Sequence, residues 1–181
     1  MQTQIVTERF FAPLDAVEVD TVARTVAAAE RLGLERVARV ATRLGNGWLY
    51  PLLTLGLLAS PLNAPLRFLF AAAVSLAIAF GAYPLLKSLL GRSRPCDYDP
   101  TLARDVAPID TYSCPSGHAM TAAAYGVPLL FAWPAAWPFV FAICAVIGWS
   151  RVALGHHYVT DVVIGTILGA AIAGSVSAFL Y

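Results

Sequence analysis

AMTAAAYGVPLLFAWPAAWPFVFAICAVIGWS, residues 119–150, runs for 32 positions without a formal charge. One bilayer crossing takes about 20 apolar residues, so the stretch is too long for a single span. Trp133, Pro134, Trp137 and Pro138 interrupt it in the middle. Tryptophan favours the membrane interface and the residue before a proline leaves the helical region, so the stretch reads as two transmembrane helices joined by a tight aromatic turn. Outward from it lie three more uncharged stretches: residues 44–66, with Trp48 and Tyr50 at one edge, residues 68–86, closed by Lys87, and residues 162–181. Only helices and closed barrels satisfy their backbone in lipid. The expected fold is therefore all-α, a polytopic transmembrane bundle of five spans.

The composition agrees. Of 181 residues, 59% are hydrophobic and 13% charged, too apolar for a soluble domain of this size. A net charge of +1 and a pI near 7.7 give no general basic field, which excludes nucleic acid as a partner. Residues 1–43 differ from the rest. Asp15 and Glu18 form a capping-box pattern and Val19, Val22 and Val26 follow at helical spacing, which predicts a helix from about Ala16 that Gly33 breaks. A second short helix carries Arg36, Arg39 and Arg43 on one stripe, with Val37, Val40, Ala41 and Leu44 turned away. Residues 1–43 are thus expected to form an amphipathic interfacial segment before a transmembrane bundle at 44–181. Two ordinary helices folded over the bundle are the plainer alternative. Residues 1–11 lack the pattern of a secretory signal and are expected to remain on the mature protein. Gly165 and Gly169 make a GxxxG in the last stretch, expected to pack within the chain's own bundle rather than to dimerise.

Ionisable groups beside membrane spans are costly and mark function. They fall in three clusters. Lys87 is followed seven residues later by Arg94-Pro95; Pro115-Ser116-Gly117-His118 opens the third span; Ser150-Arg151 is followed by His157 and Asp161 between the fourth and fifth spans. Singly each has a dull explanation, such as a snorkelling lysine or a packing hydrogen bond. The five-span layout puts all three on one side of the membrane, because two crossings separate the loops. Phosphoryl transfer asks mainly for positioning and charge neutralisation, and this set supplies both. Lys87, Arg94 and Arg151 can surround a phosphate, with Ser116 and the Gly117 N–H adding donors at a helix N-terminus. Asp161 accepting from one ring nitrogen of His157 leaves the other as a nucleophilic lone pair, and His118 remains as general acid for the departing oxygen. One carboxylate is too few for a hydrolytic metal site, so no metal and no cofactor are expected. His156 receives no role.

The three clusters resemble the signature of the type 2 phosphatidic acid phosphatase (PAP2) family, K-x6-RP, PSGH and SR-x5-H-x3-D, with no departure at Lys87, Arg94, Pro95, Pro115, Ser116, Gly117, His118, Ser150, Arg151, His157 or Asp161. The resemblance implies a helical core shared with vanadium haloperoxidases, a phosphohistidine at His157 and metal-independent hydrolysis of a membrane lipid phosphate or diphosphate, such as phosphatidic acid, phosphatidylglycerophosphate or a polyprenyl diphosphate. A lipid phosphotransferase and a non-catalytic headgroup-binding membrane protein are the alternatives. It also implies a multi-pass protein of the cell membrane with its site on the extracytoplasmic face. Six arginines from Arg9 to Arg43 pull the other way under the positive-inside rule. In an oxidising compartment Cys96 and Cys114 could form a disulfide; two free thiols are the ordinary alternative. Oligomeric state is left open.

Overall fold

The computed structural model describes residues 2–59, 66–104 and 106–181, with side chains from Phe11 onward. These residues form eight α-helices: α1 (Gln2–Arg31), α2 (Glu35–Arg43), α3 (Leu49–Ala59), α4 (Leu66–Leu90), α5 (Pro95–Tyr98), α6 (Gly117–Ala132), α7 (Trp137–Ala153) and α8 (Val159–Leu180). A π-type segment (Leu44–Trp48) joins α2 to α3, and a 3₁₀ turn (Pro134–Ala136) makes the aromatic connection between α6 and α7. The all-helical expectation is met.

Helix α6 is the centre of the bundle and packs against α8, α4 and α7. Eleven of its sixteen residues are buried, six of them alanine, glycine or threonine, so neighbouring backbones approach closely. The GxxxG of α8 serves this contact. A Cβ at Gly165 would overlap the Ser116 carbonyl, and one at Gly169 the Met120 carbonyl. The glycine pair therefore seats α8 on the start of α6, within the bundle as expected.

Among the described residues three segments are long and apolar enough to cross a membrane: Leu66–Tyr98, Pro134–Ala153 and Val159–Leu180. The other two expected spans correspond to α6, with 16 residues, and to α3, with 11, and the end of the expected first span, residues 60–65, lies outside the described residues. Gly47, at φ 119°, breaks the helical backbone ahead of α3. Helix α3 is tied to α6 by side-chain hydrogen bonds, Tyr50 Oη to Thr121 Oγ1 at 2.8 Å and Thr54 Oγ1 to Tyr125 Oη at 3.0 Å.

The N-terminal helix also departs from expectation. It does not start near Ala16 but runs through it, and Asp15 and Glu18 do not cap it. Both reach Arg92, which is fully buried between α4 and α5. Arg92 Nε donates to Asp15 at 2.8 Å, Nη2 to Glu18 at 2.8 Å, and Nη1 to Thr160 Oγ1 at 2.7 Å and Asp161 Oδ1 at 2.6 Å. Its guanidinium lies 4.0 Å from the Tyr158 ring centroid and 4.8 Å from that of Phe11. Glu18 also accepts from the Thr160 backbone N–H at 2.9 Å, so an N-terminal carboxylate caps the distant α8. Below this polar knot Val22 and Val26 pack with Leu102, Val152 and Tyr158. Gly33, at φ 66°, turns the chain into α2, whose Ala38 packs with Ala29, Ala153 and Leu154. Val37 and Val40 are exposed, as the stripe predicts.

Removing one partner of a buried ion cluster costs about 3–5 kcal/mol. Arg92→Met should therefore lower the thermal unfolding midpoint in detergent by several degrees. Arg92→Lys should recover little, because a single ammonium cannot fork to three carboxylates. Midpoints equal to that of the unsubstituted protein would show that the cluster does not hold α1 and α8 together.

Candidate functional site

The ends of α4, α6 and α7 and the turn before α8 surround one cavity of about 170 Å³, lined by Lys87, Arg94, Asp110, Gly117, His118, Arg151 and His157 together with Gly45, Asn46, Phe80, Tyr83, Ile109 and Thr121. The three sequence clusters are thus brought to one place, from chain segments 70 residues apart. Two expected members stand back from the wall. Asp161 is fully buried behind His157, and the Ser116 hydroxyl is buried with no hydrogen-bond partner. The Ser116 backbone N–H is spent on the Asp161 carbonyl at 3.0 Å.

Each position follows from local structure. Asp161 is the third residue of α8 and accepts from the Tyr158 N–H at 2.9 Å, closing that helix start, while its other oxygen takes Arg92. With both oxygens engaged, it stands 3.6 Å from His157 Nδ1, longer than a hydrogen bond. The expected Asp161–His157 hydrogen bond is therefore a close charge contact instead. It still turns the Nδ1 edge of the ring inward and leaves the opposite nitrogen, Nε2, on the cavity side. Gly117 opens α6 with its backbone facing the cavity, and a Cβ there would press on the Tyr83 ring at 3.4 Å.

His118 meets a residue that carries no motif. Its Nε2 lies 2.6 Å from Asn46 Oδ1. Gly45 allows this approach, because a Cβ there would sit 2.9 Å from His118 Cδ2. The signal for Asn46 was the Gly45-Asn46-Gly47 triplet, a turn pattern inside an otherwise apolar run. Burial and the charge of Arg151 push His118 down to about 2, and the same causes hold His157 well below the usual histidine range. Both imidazoles are neutral in the empty cavity.

The cations divide unequally. Lys87 Nζ donates to Asp110 Oδ1 and to the Tyr112 carbonyl, each at 2.7 Å. Arg94 Nη2 donates to the same two oxygens at 2.6 and 2.9 Å, its Nε to the Asp110 carbonyl at 3.1 Å and its Nη1 to the His156 carbonyl at 2.6 Å. His156 is thereby a structural residue, its own Nε2 held by the Val106 carbonyl at 2.7 Å. Arg151 is different. It is 2% exposed, and among the described residues its Nε has no hydrogen-bond partner and its side chain bonds from Nη1 to Thr42 Oγ1 at 3.3 Å. Among the described residues no carboxylate pairs with it. An unpaired buried charge is expensive, so a guanidinium kept in this state is built to receive an anion. Cys96 and Cys114 are free thiols, so the possible disulfide is not formed.

Comparison with known proteins agrees with this arrangement. The chain is 33% identical over 164 residues to a decaprenylphosphoryl-5-phosphoribose phosphatase of Mycobacterium tuberculosis, covering 89% of this chain and 88% of that one. It is 33% identical over 99 residues to an undecaprenyl-diphosphatase of Sulfolobus acidocaldarius, covering 53% of this chain and 47% of the relative, so it spans about half of that protein's length. Its structure matches that of a transmembrane PAP2-type phosphatidylglycerolphosphate phosphatase from Bacillus subtilis with a TM-score of 0.71 at 25% identity, covering 99% and 96% of the two chains. Residues 67–181, which hold every motif position lining the cavity, match the PAP2 superfamily as a whole, and the chain belongs to that family.

Proposed function

We propose that this protein hydrolyses a membrane lipid phosphate or diphosphate through a phosphohistidine on His157. The observation that carries the reading is Arg151, a buried guanidinium without a carboxylate, set beside a neutral imidazole whose outer nitrogen faces the same cavity. Arg151, the Gly117 N–H and the remaining N–H groups of Lys87 and Arg94 hold the phosphate oxygens. His157 Nε2 attacks phosphorus as the bond to the lipid oxygen breaks, and His118 gives that oxygen a proton. Water then attacks the phosphohistidine, returns a proton to His118 and releases inorganic phosphate. Burial and Arg151 favour the neutral form of His118; the negative charge of a bound phosphate raises its proton affinity, and the proton it donates is taken up from solvent or from the substrate's monoanion. Asp161 acts by orienting His157 and by stabilising charge on the ring. The relatives' names all pair a lipid with a terminal phosphate, which supports the substrate class.

The two histidines should differ in how their loss depends on the leaving group. A lipid alkoxide leaves poorly without a proton, whereas a nitrophenolate does not need one, and general acid catalysis contributes about 10²- to 10⁴-fold. His118→Ala should nearly abolish cleavage of an alkyl lipid phosphate while keeping measurable activity on an aryl phosphate; His157→Ala should be inactive on both. Steady-state kinetics in detergent tests this. Equal impairment of His118→Ala on the two substrates, or aryl phosphatase activity in His157→Ala, would reverse the assigned roles.

The cavity neutralises phosphate with protein cations, and among the described residues no three metal-ligating side chains gather. Phosphate release should accordingly persist in EDTA. Loss on chelation that Mg²⁺ or Zn²⁺ restores would require another mechanism.

We assign the cavity to the extracytoplasmic face of the cell membrane, supported by the family resemblance. Arg24, Arg31, Arg36, Arg39 and Arg43 favour the opposite orientation. In a variant with Cys96, Cys114 and Cys144 replaced by alanine, a cysteine introduced by Ile109→Cys at the exposed cavity rim should react in intact cells with a membrane-impermeant maleimide. Labelling only after permeabilisation would put the site in the cytoplasm.

A further inference from the structure

Lys87 and Arg94 already hold an anion. Asp110 Oδ1 sits 2.7 Å from Lys87 Nζ and 2.6 Å from Arg94 Nη2, and these same two nitrogens converge on the Tyr112 carbonyl. The donor count shows what this leaves. Lys87 has three N–H bonds and two are used; Arg94 has five, of which Nε, one on Nη1 and both on Nη2 are used. One N–H remains on each. Asp110 belongs to the loop before α6 and its side chain is 33% exposed, while Lys87 and Arg94 are 5% and 2% exposed, so the carboxylate covers the cations from the cavity mouth.

We propose that Asp110 is an internal stand-in for the substrate's phosphate and the specificity-determining residue that keeps phosphodiester headgroups out of the site. This rests on the phosphatase reading above. A carboxylate tethered next to its cations competes at an effective concentration in the millimolar range or above. A singly charged phosphodiester, the headgroup of bulk membrane lipids, replaces one negative charge by another and gains nothing. A terminal phosphate or diphosphate carries at least one charge more and engages Arg151 and the Gly117 N–H at the same time, so it displaces Asp110. The same carboxylate, returning to Lys87 and Arg94, helps inorganic phosphate to leave after turnover.

The test uses the intact protein in detergent micelles and reads binding without turnover. Inorganic phosphate and orthovanadate are titrated by thermal shift, and phosphatidylglycerol is then added to the micelles as a competitor. Asp110→Asn should bind both inorganic anions about tenfold more tightly or better, the change expected when one neighbouring charge is removed from a partly exposed cluster. It should also become sensitive to phosphatidylglycerol, to which the unsubstituted protein should be indifferent. Asp110→Glu, which keeps the charge, should stay close to the unsubstituted protein in both respects, and Asp110→Ser serves as a second neutral variant if Asp110→Asn fails to fold. Unchanged or weaker anion binding in the neutral variants would overturn the proposal and make Asp110 a plain support for Lys87 and Arg94. Absence of phosphate and vanadate binding in every form would overturn the phosphatase reading itself, a result distinct from equal binding in all forms.

Discussion

Arg92 is the one residue on which three otherwise separate parts of this chain depend. Its guanidinium is fully buried and meets Asp15 and Glu18 from α1 and Asp161 from α8. Three carboxylates against one cation leave a surplus of negative charge, partly offset by the N-terminal end of α8, where Glu18 and Asp161 both accept backbone N–H groups. The planar fork on Arg92 is what makes the arrangement possible, since Nε and Nη2 serve α1 while Nη1 serves α8. Through Asp161, 3.6 Å from His157 Nδ1, the cluster places a carboxylate behind that imidazole. An N-terminal helix thus supports the surroundings of His157 from outside the residues that line the cavity.

Across the cavity the electrostatics are reversed. Lys87, Arg94 and Arg151 face a single carboxylate, Asp110, and both imidazoles are held neutral by burial and by Arg151. The two imbalances lie back to back, negative behind His157 and positive in front of it. An anion in the cavity would offset the positive side and raise the proton affinity of His118.

The motifs were legible because the surrounding chain is so apolar. In a sequence with 13% charged residues, Lys87, Arg94, His118, Arg151, His157 and Asp161 stand out at span ends, and their separation in the chain is bridged by helices whose lengths composition nearly determines. What was not legible depends on contacts between distant segments. Arg92 sits inside the first motif at a position that the pattern leaves open, and its partners Asp15 and Glu18 mimic a capping box well enough to be misread locally. Asn46 and Asp110 belong to no motif and acquire meaning only beside His118 and Lys87. The break in the helix at Gly47 was not legible because hydropathy does not register its positive-φ backbone.

Size constrains where lipid selectivity resides. The charged cavity is about 170 Å³, well below the roughly 300–1,000 Å³ of a pocket that encloses a drug-sized ligand, so it has room for a phosphate and little more. The larger cavity, about 560 Å³ between α2, α3 and α7, is lined by Val37, Val40, Leu44, Phe139, Ile143 and Ile147 together with Arg36. Gly45 separates the two, with His118 on one side and Ile147 on the other. Phe80, Tyr83 and Ile109 line the charged cavity beside its cations, and Phe80 and Ile109 are exposed, so side chains that belong to neither charge cluster border the site.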